Sequence, residues 1–80
     1  MAGRSLRKRS VTIAGHATSF SLEDEFWQAL QAVARQRKLS LNALVASIDA
    51  ARVGNLSSAL RVFILECYRS GELLPIAKYG

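Results

Sequence analysis

The sequence predicts a mainly α-helical chain with one short β-strand ahead of three helices, and a core that a second copy helps to complete. Three observations carry this prediction. The hydrophobic period changes from two to about 3.6 near Ser21. Cap and stop residues then punctuate the chain at Ser40, Gly54, Asn55, Ser57 and Gly71. The last helix is apolar around nearly its whole circumference, in a chain of only 80 residues.

The elements follow in order. Arg4, Arg7, Lys8 and Arg9 crowd into the first nine positions with no acidic residue among them, which predicts a flexible basic arm over 1–9. From Ser10 to Leu22 two stretches alternate with period two. Val11 and Ile13 alternate with Ser10 and Thr12, and Thr18, Phe20 and Leu22 alternate with Ser19 and Ser21. Gly15 marks a bulge or turn between them. The strand is placed at about 17–22, and it must pair with another chain or with the chain's own first stretch.

Phe26, Leu30, Val33 and Arg37 fall at helical spacing, widened by Trp27 and Ala34, and predict a first helix over about 22–38. Ser21 and Asp24 form a weakened capping box at its start. Glu23, Asp24 and Glu25 at one end and Arg35, Arg37 and Lys38 at the other complement the helix dipole. Ser40 caps a second helix over about 40–53 with Leu41, Leu44, Val45 and Ile48 on one face. Asn55 or Ser57 caps a third over about 57–70, carrying Leu60, Val62, Phe63, Ile64, Leu65, Cys67 and Tyr68. Residues 10–70 thus form one domain, and 71–80, with Pro75 and no periodicity, a short tail.

Eleven Lys and Arg face six Asp and Glu, a formal charge of +5, and half of the residues are hydrophobic. Such a chain is too apolar for a disordered tail, and its charge points to a polyanion. Burial of only roughly 60% of the unfolded surface leaves a domain of this size marginal by itself. With one cysteine and one histidine, neither an internal disulfide nor a Cys/His zinc site is available, so no cofactor or metal is expected. No apolar run approaches the roughly 20 residues of a membrane helix, and no secretory signal opens the chain. A cytoplasmic protein follows. Catalysis is not expected, since GxSxG, HExxH, CxxC and a phosphate-binding glycine loop are all missing.

The order of basic arm, strand, acidic-to-basic helix, tight turn and serine-capped helix resembles the ribbon-helix-helix family of bacterial DNA-binding proteins, the Arc and MetJ class. The resemblance runs from Thr18 to about Val53, TSFSLEDEFWQALQAVARQRKLSLNALVASID, and the third helix looks like an extended version. It implies an intertwined homodimer whose strands pair between chains into an antiparallel ribbon in the major groove, acting in transcription regulation, as a repressor for example. With Phe20 and Leu22 toward the core, Ala17, Ser19 and Ser21 face the bases. The backbone at Ser40, Leu41 and Asn42, with Arg37 and Lys38 beside it, is the expected phosphate site, and the basic arm follows the DNA backbone or enters a minor groove.

Alternatives stay open at this point. NLSSALRVFILECYR also resembles the family's second helix, which would make 41–53 an insertion. Arg9 to Ile13 is a second candidate for the groove-entering strand, with Arg9, Ser10 and Thr12 outward. The partner is double-stranded DNA with a homodimer or higher homo-oligomer, or else a protein. In that second reading the chain is an antitoxin or adaptor that binds through its C-terminal region.

Overall fold

A computed structural model describes residues 6–73 of the chain. It has two strands and three helices: β1 (Leu6–Ile13), β2 (His16–Glu23), α1 (Asp24–Gln36), α2 (Leu41–Ala51) and α3 (Leu56–Ser70). The expectation of one short strand is corrected. β1 and β2 form an antiparallel pair within the chain, in register from Leu6 opposite Glu23 to Ile13 opposite His16. Residues 6–9, expected in a flexible arm, lie in β1.

The turn explains why the strands meet. Ala14 (φ 51°) and Gly15 (φ 80°) both take left-handed backbone angles, the requirement of a two-residue type I′ turn whose twist matches the flanking strands. Glycine reaches that region freely, whereas alanine does so at a cost. Alternation then sorts the side chains into two faces. Val11, Phe20 and Leu22 are buried on the inner face with Ile13 packed beside them. Lys8, Ser10, Thr12, Ala17 and Ser19 are exposed on the outer one.

α1 begins differently from its expected capping box. Ser21 lies in β2, Glu23 occupies the cap position, and its side chain makes no cap hydrogen bond. Asp24 and Glu25 in the first turn and Arg35 in the last still match the dipole. The helix ends in a Schellman arrangement. The Leu39 amide donates to the Ala34 carbonyl at 2.9 Å and the Lys38 amide to that of Arg35 at 3.1 Å, with Lys38 left-handed at φ 58°.

Ser40 caps α2 as expected, its Oγ accepting from the Ala43 amide at 3.0 Å. α3 is capped by Asn55, whose Oδ1 accepts from the Ser58 amide at 3.1 Å. Beyond α3 the chain folds back. The Leu73 amide donates to the Cys67 carbonyl at 3.1 Å and Leu73 is buried, so the core includes a residue expected in the tail.

The inner face of the hairpin and the three helices enclose one core. Leu22, Leu30, Val33, Leu44, Val45, Leu60 and Ile64 are its most deeply buried side chains. α3 is apolar around nearly its whole circumference, which calls for cover on all sides. One chain covers only part of it: Leu60, Ile64 and Cys67 are buried, while Val62, Leu65 and Tyr68 remain 56%, 53% and 39% exposed.

Candidate nucleic-acid interface

The outer face of the hairpin is built from cross-strand pairs. Lys8 stands opposite Ser21, Ser10 opposite Ser19, and Thr12 opposite Ala17. A two-residue turn closes on the hydrogen-bonded pair Ile13 and His16, so these three pairs are the non-hydrogen-bonded ones, whose side chains approach most closely. The Ser21 amide accordingly points away from β1 and donates to Ser57 Oγ at the start of α3, at 2.9 Å. All three residues expected to face bases, Ala17, Ser19 and Ser21, therefore share one face. Ser21, however, is half-buried against α3.

The cations of β1 divide by parity. Arg9 points inward, where its Nη2 donates to Asp24 Oδ1 at 3.1 Å and its guanidinium lies 4.3 Å from the centre of the Trp27 ring. Trp27 in turn packs on Phe20 with ring centres 6.2 Å apart. Arg7 reaches the same Asp24 carboxylate at 3.7 Å. The reading of Arg9 as a free arm cation, or as an outward strand residue, is corrected. Lys8, between them, faces out and has no ion pair among the described residues. Arg4, the remaining member of the expected arm, lies outside the described residues.

The second expected site divides in the same way. Ser40, Asn42 and Lys38 are exposed around the start of α2, and Leu41 is half-buried. Arg37 is turned elsewhere. Its Nε and Nη2 donate to the two carboxylate oxygens of Glu72 at 2.6 and 2.7 Å, and its guanidinium stands over the Phe63 ring at 5.2 Å. This two-pronged bond raises the pKa of Arg37 and lowers that of Glu72. Arg37 therefore ties α1 to the end of α3, while Lys38 and Arg35 carry no ion pair among the described residues.

At the hairpin's other end Arg61 Nε donates to Glu23 Oε1 at 3.2 Å. The Glu23 carboxyl is held below its ordinary value by a backbone hydrogen bond and by Arg61. Cys67 is buried, and burial pushes its thiol pKa up, the condition of an inert structural cysteine. β1's outward residues Lys8, Ser10 and Thr12 complete this face, Lys8 having been expected in the arm and Ser10 and Thr12 as outward residues of the alternative strand. The signal for them lay in the two alternating stretches on either side of Gly15.

A family model, described as the ribbon-helix-helix domain, matches residues 6–68. The chain belongs to the ribbon-helix-helix family. This family is one of DNA-binding, dimer-forming regulators, and its fold is not an enzymatic one. The ribbon-helix-helix match begins at Leu6, so it takes in β1 as well as β2, and it ends at Tyr68 within α3. No curated protein and no solved structure matches the chain. No helix among the described residues is long and apolar enough to cross a membrane.

Proposed function

We propose that the protein is a transcriptional regulator that acts as a dimer, placing the outer face of its hairpin in the major groove of double-stranded DNA. The observation that carries this reading is the outer face of the hairpin, where exposed Ala17 and Ser19 stand beside half-buried Ser21, in a chain whose family binds DNA. Hydroxyls there can donate to or accept from base edges, and Ala17 suits a thymine methyl. The exposed start of α2, with Ser40, Leu41, Asn42 and Lys38, is suited to a phosphate and sets the orientation of the ribbon. Arg37, committed to Glu72, takes no part in it.

Dimerisation in this reading uses the bare side of α3. Phe26, Val62, Leu65 and Tyr68 line one apolar groove between α1 and α3, with Arg61 at its rim. Contiguous apolar surface of this kind is the usual mark of a protein interface. Gel-shift titration on genomic and random-sequence duplexes at low salt tests the DNA reading, and sedimentation at micromolar concentration tests the dimer. Failure to shift any duplex, from a protein shown to be dimeric, overturns the function. Each phosphate contact adds about −0.9 to the slope of log affinity against log salt.

A further inference from the structure

We infer that Glu72 is a positioning residue that acts through Arg37: it holds this cation away from the DNA backbone and so sets how tightly the protein grips duplex of any sequence. The inference rests on the DNA-binding reading and deepens it.

The first support is a contrast within one turn of chain. Arg35, Arg37 and Lys38 stand together at the end of α1, just ahead of the Ser40 cap. Arg35 and Lys38 are exposed and carry no ion pair among the described residues. Arg37 is drawn across to the segment behind α3, where its Nε and Nη2 donate to both Glu72 oxygens. Its Cα lies three residues from Ser40, at most about 11 Å away along the chain, so the exposed start of α2 is within reach of the long arginine side chain once it is released. A phosphate offers the guanidinium fork the same pair of acceptors as a carboxylate. Glu72 and the DNA backbone therefore compete for one group.

The second support is how firmly Glu72 is placed. Gly71 (φ 87°) turns the chain back at the end of α3, and beyond Glu72 the Leu73 amide donates to the Cys67 carbonyl at 3.1 Å while the Leu73 side chain is buried. Glu72 is thus fixed on both sides. The Phe63 ring, 5.2 Å from the guanidinium, orders the other partner. Among the described residues this is the ion pair with two hydrogen bonds between its charged groups; Arg9, Arg52 and Arg61 each make one to their carboxylates, and Arg7 and Arg69 stand at 3.7 Å from theirs. A surface pair is weak chiefly because it must order two long side chains, and here both are ordered by the fold.

Two measurements on the full chain test this. In the first, wild type, Glu72→Gln and Arg37→Gln/Glu72→Gln are titrated on random-sequence duplex, with circular dichroism to confirm folding. Glu72→Gln frees Arg37 and is expected to bind more tightly than wild type at 50 mM salt. Each added phosphate contact steepens the salt slope by about 0.9, so on going to 200 mM the excess shrinks about 3.5-fold for one contact and about 12-fold for the two of a dimer. The double variant keeps the wild-type net charge and should lose the excess. Loss of folding lowers affinity and cannot imitate this gain. If folded Glu72→Gln binds no more tightly than wild type, or if the double variant keeps the excess, Glu72 does not act through Arg37 and the inference falls while DNA binding stands. If the wild type binds no duplex, the DNA-binding reading falls and takes the inference with it.

The second measurement needs no variant to fold. The Arg37 Nε–H resonance of the wild-type protein is followed by nitrogen-15 NMR as random duplex is added to saturation. It is expected to keep its position, because Glu72 still holds the guanidinium in the complex. Its displacement on saturation would mean that the DNA backbone takes Arg37 from Glu72, and would overturn the inference.

Discussion

Replacing Arg9 by alanine separates the roles of neighbouring basic residues that the sequence presents as one cluster. The Arg9 side chain is only 22% exposed, and three contributions are lost with it. The charged hydrogen bond to Asp24 at 3.1 Å is worth about 1.5–3 kcal/mol when buried. Asp24 is about half exposed, and solvent screening reduces this to roughly 1 kcal/mol or less. The stack on Trp27 at 4.3 Å adds about 0.5–1 kcal/mol, and the aliphatic stem covers apolar surface besides. The buried Arg9 Nε finds no hydrogen-bond partner among the described residues, and removing it offsets part of the loss. The net expectation is a cost of about 1.5–2 kcal/mol, which lowers the melting temperature by roughly 6–16 °C in a domain of this size. Lys8→Ala should change stability by less than about 0.5 kcal/mol, as exposed surface substitutions do. Thermal unfolding followed by circular dichroism at constant protein concentration reads both. Arg9→Met, which keeps the stem, should fall between them. Equal melting temperatures for wild type and Arg9→Ala would refute the clamp and return Arg9 to the role of a solvated arm.

Other expectations follow from the same geometry. Ala14→Asn places a residue suited to left-handed backbone angles at the first turn position, and it should raise stability by roughly 0.5–1 kcal/mol, visible as a higher melting temperature. Leu60→Ala empties a fully buried site on α3 at a cost of about 3–5 kcal/mol, enough to leave much of the protein unfolded at 37 °C in a protease-susceptibility assay. Glu72 has a folded pKa lowered first by the Arg37 hydrogen bond, so its stabilisation is present above the ordinary carboxylate range and fades as pH falls through the lowered value. Melting temperature should therefore drop on acidification from pH 6 toward 3, and Glu72→Gln should flatten that drop while lowering the neutral-pH value.

The helices were legible because their signals are local. Ser40 and Asn55 cap within three residues of themselves, and the stripe containing Leu30 and Val33 repeats inside a single helix. The outward set Ala17, Ser19 and Ser21 was legible for the same reason, since strand alternation needs no partner. The first strand was legible only in its second half, from Arg9 to Ile13. Its Arg7, Lys8 and Arg9 read as a solvated charge run because Asp24, the carboxylate that meets two of them, lies 15 residues beyond Arg9. Gly15 marked the turn, but Ala14 takes a left-handed angle without the Asn-Gly or Asp-Gly signature that announces a type I′ hairpin, so the pairing stayed open. The ion pair of Arg37 was not legible either. Nothing in its neighbourhood along the chain shows that Glu72, 35 residues away, will hold it.

α3 carries more apolar surface than one short chain covers. Its two sides differ in cover. The side toward Leu60, Ile64 and Cys67 is covered from within the chain, and the uncovered side carries Val62, Leu65 and Tyr68 at spacings of three, one helical stripe. The same helix is fastened to the hairpin at its beginning, by Ser57 on the Ser21 amide and Arg61 on Glu23. A second copy packed on that stripe would therefore hold its own hairpin at a fixed distance and angle from the first, with α3 as the rigid link between them. In the proposed dimer the separation of the two hairpins then follows from α3 packing. Substitutions at Leu65 should change both the dimerisation constant and the tolerated half-site spacing, while substitutions at Lys8 should leave the spacing untouched.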